Sequence, residues 1–561
     1  MLGVKEIGDI KMDKKYTIGL DFGTLSGRAV VVDTDNGDVL GEAVLDYPHA
    51  VLEKELPCGK KLPEMFALQH PQDYLDVLAY VIPKAIENAG VRKEDVKAIC
   101  IDFTCCTLIP ICEDGTPLCF DEKYKSEPHA YVKLWKHHAS QPQADRIIEL
   151  AKRRGEEWLS IYGGRVSSEW AFPKMLEVLE NAPEVYRDTY RFMEAADWVS
   201  LILTGKETHS NPFAGYKAMW NAENGYPTRE YFAELNPDFA DVVGTKWCER
   251  VDGIDGIAGL VNKKGAELTG LSEGTVVAMP MPDAHVAMYA LNIVDEREML
   301  LVIGTSSNQI INSKKKIDIK GICGYVKDGF IPGYYSYEAG QACVGDGFDR
   351  FVKNYVPERY TVEARERGIS IHKLLREKAK ELKVGESGLI CLDWFNGNRN
   401  ILVDADLSGM LIGLKINTRP EEIYRAIIEG TAFGTRVIVD NYTEHGIEIG
   451  GICACGGISL KDEMLMQIYS DVLGREIRVT STLQTASLGC AVYAAYAARI
   501  YPTISEAAKN MSKPTAKVYY PDPENVKLYD RLYREYKKLH DYFGRGENDV
   551  MKKLTHFAKD N

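Results

Sequence analysis

The feature that most constrains the fold is a pair of similar strand–turn–strand segments, at residues 17–33 and 299–312. In each, an apolar run rich in Val, Ile and Leu enters a Gly-Thr turn, and a second β-type run leaves it. Gly lets backbone approach a ligand closely and Thr adds a hydroxyl donor, so such a turn can cradle phosphate oxygens. A single turn of this kind is more often an ordinary hairpin. Two copies favour two similar lobes that grip one polyphosphate between them.

Asp21 follows the first apolar run directly and stands at the mouth of the first turn. A carboxylate has no packing reason to lie at the end of a buried strand. We therefore expect Asp21 to face a divalent cation that accompanies the phosphate.

Length and composition describe an ordinary globular protein of several domains. A chain of 561 residues is too long for one core, and 45% hydrophobic with 27% charged residues is a typical balance. The net charge of −14 argues against nucleic-acid binding, because there is no basic excess to neutralise phosphates. An anionic cofactor would need backbone amides or a metal ion.

The cysteines and the N-terminus predict a cytoplasmic protein. The 13 cysteines are scattered, without a second pair at zinc-finger spacing, and are expected to be reduced. The N-terminus lacks an apolar segment of the signal-peptide type, and no long apolar run predicts a membrane span. Residues 1–12 are expected to form a loose extension.

The order of predicted elements indicates an α/β protein with two ribonuclease H-like lobes and a cleft between them. The N-terminal lobe, 13–284, begins with three strands, a helix and a strand, and carries a largely helical insertion at about 121–240. The C-terminal lobe, 285–545, repeats this plan with a hairpin, helices at 418–442, 461–473 and 484–500, and a strand at 451–455. Residues 546–561 are predicted to be a tail. The boundary is expected near 284–298.

Asp283 follows an apolar strand that ends in two prolines. One interpretation is an N-cap for a helix at 284–291. The other is a base that accepts a proton from an alcohol at the hinge between the lobes, since phosphoryl transfer needs positioning, charge neutralisation and such a base. The neighbouring His285 is a weaker candidate for the same role.

Two charged residues among aromatics, Lys217 and Glu338, are candidates for sugar binding, because polar groups beside aromatic faces often bind sugar hydroxyls. Each alone is more often a surface charge. Gly456 and Gly457 follow an apolar strand, where they could admit a nucleoside or make a tight strand–helix turn. The sequence has no Walker A motif, complete G-x-G-x-x-G fingerprint or G-x-S-x-G elbow.

Longer strings of sequence resemble a known family. Asp21-Phe-Gly-Thr, Gly304-Thr-Ser and Cys455-Gly-Gly, spaced as they are, resemble the FGGY carbohydrate kinases of the actin-like ATPase superfamily. The strings at 67–74, 128–138 and 392–399 resemble the branch of that family that acts on L-ribulose. The chain departs from that branch at Asn308-Gln309 and Met288-Tyr289, either of which could reshape the pocket.

The resemblance implies ATP-dependent phosphorylation of the C5 hydroxyl of L-ribulose, a step in L-arabinose breakdown, with Mg²⁺. It implies that Asp283 is the base and that Asp21 and Asp283 lie near the metal. The ketopentose would be held by Lys217, Glu338, Asp283 and the backbone near Cys105, with Trp135 closing over it. The residues implied to contact ATP are Thr24, Arg28, Gly304 and Thr305 at the phosphates, and Gly456, Gly457 and Gln467 at the nucleoside.

Other functions remain open at this level. A related kinase could act on xylulose, ribitol or glycerol, and a non-catalytic actin-like ATPase would share the two hairpins. A sugar-binding protein without chemistry would not need phosphate hairpins. The expected partners are the sugar and ATP, without nucleic acid or membrane, and the sequence leaves a homodimer open.

Overall fold

The structure is a computed structural model that describes residues 14–482, 484–513 and 515–560. The predicted extension at 1–12 lies outside these residues. Two seven-stranded mixed sheets form the centres of two lobes, each covered by helices. A four-stranded sheet (Leu68–Gln69, Leu108–Ile111, Val132–Lys133, Arg191–Glu194) and a two-stranded sheet (Ile390–Leu392, Met410–Ile412) complete the β structure of the described residues.

The first sheet contains the first Gly-Thr hairpin, Tyr16–Phe22 with Ser26–Asp33. Its strands run in the order Val39–Asp46, Ser26–Asp33, Tyr16–Phe22, Val96–Phe103, Val276–Ala278, Ile257–Leu260, and Met281–Pro282 also pairs with Val96–Phe103. Tyr16–Phe22 pairs in parallel with Val96–Phe103, and both strands are buried on both faces, which explains their continuous apolar runs. The edge strand Val39–Asp46 mostly alternates between buried and exposed positions.

The second sheet repeats this arrangement around the second Gly-Thr hairpin, Glu298–Ile303 with Ser307–Ser313. Its order is Gly324–Lys327, Tyr335–Gln341, Ser307–Ser313, Glu298–Ile303, Gly451–Cys455, Ile477–Thr480, Thr515–Tyr519. The predicted hairpin and the strand at 451–455 are both present. Strands Gly324–Lys327 and Tyr335–Gln341 were not predicted, because they contain residues of weak β-propensity such as Gly340 and Glu338.

Helix Pro71–Ala89 covers the first sheet and shows how local sequence sets helix ends. Pro71 occupies the first turn, and the His70 ring accepts a hydrogen bond from the Gln72 N–H at 3.2 Å. Gly90 ends the helix in the left-handed conformation (φ 65°), which glycine adopts without strain.

The region predicted as a helical insertion is helical and has an apolar core of its own. Trp158 and Trp170 are buried in that core, and Trp198 is buried against the first sheet, so most of these aromatics pack rather than face a ligand. The helices of this region and its flank are Gln141–Arg154, Trp158–Ile161, Ala171–Asn181, Pro183–Asp188, Ala195–Thr204, Asn211–Lys217, Arg229–Leu235, Val242–Thr245 and Lys263–Thr269.

The helices around the second sheet include the long Pro420–Glu444, predicted as 418–442. The others are Gly345–Tyr355, Glu358–Glu366, Ile371–Lys380, Gly457–Lys461, Glu463–Leu473, Pro523–Gly544 and Val550–Asp560. The last of these lies in the segment predicted as a tail, and its Met551 is buried.

The chain returns to the first lobe near its end. Helices Thr485–Ala497 and Ile504–Met511 pack on the first sheet together with Asp283–Ala290. The Thr17 hydroxyl donates to the Ala491 carbonyl at 2.9 Å, and a Cβ on Gly19 would overlap the Ser487 carbonyl. We call Thr485–Ala497 the returning helix. Its return was not predicted from the sequence, which had suggested that all of 285–545 belongs to one lobe.

Among the described residues, no helix combines the length and the apolar character needed to cross a lipid bilayer.

Candidate active site

A cleft of about 450 Å³ separates the two Gly-Thr turns and is lined by both lobes. Its lining includes most of the predicted site residues: Asp21, Thr24, Cys105, Trp135, Lys217, Asp283, Gly304, Thr305, Glu338 and Gly456. The structure therefore gathers into one cleft residues that are widely separated in sequence.

The first turn presents Asp21 near the buried carboxyl group of Asp102. Asp21 lies opposite Asp102 on the parallel neighbouring strand, and Arg28 Nε lies 3.3 Å from Asp21 Oδ2. Burial raises the pKa of Asp21, although Arg28 opposes this effect. Burial, followed by the negative charge of Asp21, raises the pKa of Asp102 well above its ordinary value. The strongly raised pKa of Asp102 favours its neutral form, which leaves Asp21 as the anion that faces the cleft.

Hydrogen bonds from side chains outside the first turn stabilise its conformation. The Gln69 amide donates to the Thr24 carbonyl at 2.8 Å, and Tyr74 donates to Gln69 at 2.6 Å. The Trp135 indole N–H donates to the Thr24 hydroxyl at 3.1 Å, so the hydroxyl proton of Thr24 stays available to a ligand. In the sequence, Gln69 and Tyr74 stood out only as members of a family string, and the structure shows that they support the turn.

Asp283 is the first residue of helix Asp283–Ala290, and Pro282 occupies the N-cap position. The Asp283 side chain is therefore not an N-cap. Its Oδ1 accepts the Ala284 N–H at 2.7 Å, which orients the carboxylate at the cleft wall. Burial, then the negative charge of Asp21, raises the pKa of Asp283 to about 7. A carboxylate with this pKa is a stronger base than an ordinary aspartate.

Lys217 and Glu338 meet in the cleft. Lys217 Nζ lies 3.5 Å from a Glu338 carboxylate oxygen, and His285 Nε2 lies 3.2 Å from the other. The His285 ring stacks on Phe330 with centroids 4.6 Å apart, so it is held against Glu338 rather than free to act as a base. Burial would raise the pKa of Glu338, but Lys217 and His285 hold it below its ordinary value. The carboxylate is an anion that can accept hydrogen bonds from sugar hydroxyls.

The second turn lacks an acidic residue, because Val302 takes the position that Asp21 has in the first turn. The Thr305 carbonyl accepts the Val344 N–H at 2.8 Å, and the Gly304 carbonyl accepts the Gly345 N–H at 3.0 Å. These bonds occupy the carbonyls of the turn, while Gly304 and Thr305 line the cleft.

Gly456 lines the cleft, but its own geometry also requires glycine. Its φ is +99°, and a Cβ would overlap the Ile303 carbonyl. The tight strand–helix turn considered from the sequence is therefore real. The space above the neighbouring Gly457 is open, because, apart from its chain neighbours and its own helix backbone, no described residue lies within 4 Å of the point where a Cβ would stand. This leaves room for a flat group beside the turn.

Three predicted ATP contacts, Arg28, Gln467 and Gly457, lie outside the lining of the cleft. Arg28 is adjacent to it, paired with Asp21 and with Gln484 at 3.3 Å. The Gln467 amide donates to Asp471 and to the Tyr520 carbonyl, each at 2.9 Å, and the side chain does not line the cleft. Its role at the nucleoside stays a prediction.

Several residues that line the cleft were not assigned from the sequence. Arg399 lies 4.0 Å from Glu169, and a second cavity of about 390 Å³ shares both residues, with Lys217 and Glu338, as part of its lining. Arg399 ends the family string at 392–399, which was the one available signal. Asn308 also lines the cleft, whereas Met288 and Tyr289 are fully buried and do not line it.

Comparison with known protein families matches the N-terminal and C-terminal parts of the chain to two separate domains. The N-terminal domain of the FGGY family of carbohydrate kinases matches residues 16–289, and the C-terminal domain of that family matches residues 299–498. The chain belongs to the FGGY family of carbohydrate kinases.

Several relatives that match nearly the whole chain are named ribulokinase. A ribulokinase from Bacillus licheniformis is 47% identical over 94% of this chain and 97% of its own length. A ribulokinase from Halalkalibacterium halodurans is 47% identical over 97% of both chains. A ribulokinase from Mycolicibacterium smegmatis is 44% identical over 96% of both.

Solved structures of a xylulose kinase and a glycerol kinase share the fold. The xylulose kinase from Rhodospirillum rubrum superposes with a TM-score of 0.76 at 20% identity, covering 97% of this chain and all of that one. The glycerol kinase from Plasmodium falciparum, solved with ADP, gives 0.73 at 18% identity, covering 94% and 98%. The predicted α/β fold with two lobes of the actin-like ATPase type is confirmed.

Proposed function

We propose that this protein transfers the γ-phosphoryl group of ATP to the C5 hydroxyl of L-ribulose, giving L-ribulose 5-phosphate, a step in L-arabinose breakdown. The observation that carries the proposal is the position of Asp283 in one cleft with both Gly-Thr turns and the Lys217–Glu338 pair. The relatives named ribulokinase, which match nearly the whole chain, support the choice of sugar.

In this proposal Asp283 is the base. It accepts the proton of the C5 hydroxyl while the oxygen bonds to the γ-phosphorus, and the bond from that phosphorus to the bridging oxygen breaks, releasing ADP. A pKa of about 7 leaves a substantial fraction of Asp283 ionised near neutrality. Closure of the cleft over the sugar would limit access of water, which would otherwise compete as acceptor.

Lys217 and Glu338 bind the ketopentose in this proposal. The ammonium group donates hydrogen bonds and the carboxylate accepts them, so together they can recognise hydroxyl groups of a sugar. The backbone near Cys105 and the Trp135 ring line the same cleft. The hydrogen bond from the Trp135 indole to the Thr24 hydroxyl would keep the ring beside the phosphate-binding turn while the ring covers the sugar.

The two turns would bind the phosphates of ATP through Thr24, Gly304 and Thr305, with Arg28 behind Asp21. Gly456 and the open space above Gly457 suit the nucleoside. Gln467, whose amide is bonded to Asp471 and to the Tyr520 carbonyl, stays a predicted contact of the nucleoside.

A divalent cation fits the charges of the cleft. Apart from His285, the basic side chains among the described residues that line it are Lys217 and Arg399, which lie by Glu338 and Glu169 rather than at the turns. Carboxylate oxygens are the ligands that Mg²⁺ takes together with phosphates. We propose that Asp21 and Asp283 hold Mg²⁺, which would neutralise charge on the β- and γ-phosphates.

ADP release measured with a panel of sugars tests this function. We expect L-ribulose to give the highest kcat/KM, with xylulose, ribitol and glycerol well below it, and the product mass to show one added phosphate. Preference for xylulose or ribitol would assign a different FGGY specificity. ADP release that no sugar stimulates would indicate an ATPase without a sugar acceptor.

We also propose a cytoplasmic location, since all 13 cysteines are free, as is usual where thiols stay reduced. A homodimer stays a prediction.

A further inference from the structure

A cluster of three potential metal ligands lies outside the cleft, in the insertion of the first lobe. Glu207 and His209 lie in the loop between helices Ala195–Thr204 and Asn211–Lys217, and Cys248 lies in the loop before strand Ile257–Leu260. One ligand atom from each residue lies within 4.8 Å of the others. His209 Nε2 is 3.2 Å from Glu207 Oε1.

Backbone hydrogen bonds hold the two loops together without any ion. The Asp252 N–H donates to the His209 carbonyl at 2.7 Å, and the Asn211 N–H donates to the Asp252 carbonyl at 3.0 Å. The Trp247 ring meets the His209 ring edge-on, with centroids 5.5 Å apart. The position of the imidazole is thus fixed by its surroundings, which makes the cluster preorganised.

We propose that Glu207, His209 and Cys248 form a Zn²⁺ site. Thiolate, imidazole and carboxylate together are a ligand set typical of zinc, and each lies about 2.0–2.3 Å from the ion in a tetrahedral site. Nitrogen and oxygen ligands of one tetrahedral zinc lie about 3.3 Å apart by these distances, close to the separation of His209 Nε2 and Glu207 Oε1. One carboxylate and one thiolate would balance the charge of the ion.

Burial and access suit such a site. His209 is 1% exposed, so the imidazole is shielded from bulk solvent. Glu207 and Cys248 are partly exposed, so an ion can enter and a water molecule can fill the fourth position. Arg191 Nε lies 3.4 Å from Glu207 Oε1 and helps to keep this carboxylate ionised, although it also competes for that oxygen.

A bound ion would brace the helix that carries Lys217. His209 stands two residues before helix Asn211–Lys217, and the Ser210 hydroxyl donates to the Pro280 carbonyl at 2.7 Å, near Asp283. Zinc would therefore fix the loop at the start of this helix, which the Ser210 hydrogen bond already joins to the segment before Asp283. This consequence rests on the proposed function, whereas the metal site does not.

Cobalt absorption tests the site directly. The full-length protein is treated with EDTA, dialysed and titrated with Co²⁺, and we expect one equivalent to produce thiolate-to-cobalt charge-transfer absorption that Zn²⁺ abolishes. Cys248→Ser should lose this band and bind Zn²⁺ more than about 100-fold more weakly, since even the loss of a group that only orients a ligand costs about 10–100-fold. Glu207→Gln should keep the band and weaken binding at least about tenfold.

The matched control is Cys58→Ser, which removes an exposed cysteine elsewhere and should leave the titration unchanged. Zn²⁺ should raise the Tm of the wild type but not that of Cys248→Ser. Circular dichroism checks that both cluster variants fold. A wild type without the band, or a band that survives in Cys248→Ser, would overturn the proposal and leave an ion pair of Glu207 with His209 and Arg191. Because the readout is absorption, failure of the kinase assay would not affect it.

Discussion

Lys217 Nζ lies 3.5 Å from each carboxylate oxygen of Glu338, a residue 121 positions later in the chain. Lys217 ends a helix of the insertion in the first lobe, and Glu338 lies in a strand of the second sheet. The Tyr216 hydroxyl donates to the Ser336 carbonyl at 2.6 Å beside this pair. The two lobes therefore touch at the end of the cleft assigned to the sugar, and the pair that joins them is also the proposed sugar contact.

Glu338→Gln should weaken sugar binding and lower stability together. Loss of the charged acceptor should raise the KM for L-ribulose about 10- to 150-fold, since a hydrogen bond to a charged group contributes about 1.5–3 kcal/mol. Lys217 would be left as a buried charge without its partner, which costs about 3–5 kcal/mol. Sugar kinetics and urea unfolding at pH 7 measure both effects. Glu55→Gln, in an exposed pair with Lys61, is the control and should leave stability nearly unchanged.

The stability difference between wild type and Glu338→Gln should depend on pH. Because the folded pKa of Glu338 lies below its ordinary value of 4.5, its contribution is complete above pH 4.5 and is lost as the pH falls through the folded value. Unfolding at pH 7 and at pH 4 should show a smaller difference at the lower pH. A difference that grows on acidification would mean that Glu338 is not an anion in the fold.

Asp283→Asn should abolish turnover while largely sparing sugar binding. The amide cannot accept the hydroxyl proton, and loss of a general base typically costs about 10²–10⁴-fold in rate. Single-turnover rates and sugar affinity by calorimetry separate the two effects, with the exposed Asp255→Asn as the isosteric control. A variant with near-wild-type kcat would remove Asp283 from the mechanism.

Thr305→Val should raise the KM for ATP more than that for sugar, because it removes one hydroxyl donor to phosphate, worth about 1.5–3 kcal/mol. Thr24→Val should do the same and should also affect sugar, since the Trp135 indole loses its acceptor. The serine variants at both positions keep the hydroxyl and should behave as wild type. Unchanged ATP kinetics in both valine variants would show that the turns are structural only.

Sugar and nucleotide should compact the molecule, because a cleft that loads substrate and then excludes water needs two states. Small-angle scattering with L-ribulose and a non-hydrolysable ATP analogue should show a smaller radius of gyration than the free protein. Glu338→Ala should give a larger radius without ligand, since one contact between the lobes is lost. If ligands leave the radius of gyration unchanged, the Lys217–Glu338 pair joins the two lobes permanently and does not form when the cleft closes.

The two hairpins were predicted from local sequence alone, because an apolar run that enters a Gly-Thr turn and a β-type run that leaves it indicate a hairpin without reference to the rest of the chain. The position of Asp283 followed from an apolar strand together with the family resemblance. Arg399 and Glu169 could not be paired in advance, since two distant loops bring them together. The returning helix was equally hidden: its small residues predict a buried helix, but not the sheet that buries it.

The first lobe begins to be synthesised early but is completed only late, when helices Thr485–Ala497 and Ile504–Met511 have been made. Its sheet begins at Tyr16, yet the apolar face beside Gly19 is covered only when the returning helix has left the ribosome. A nascent chain that ends near residue 290 would expose that face to other chains, and such surfaces promote aggregation. The N-terminal half alone should therefore be a poor candidate for expression, and a frameshift late in the gene would damage the beginning of the fold.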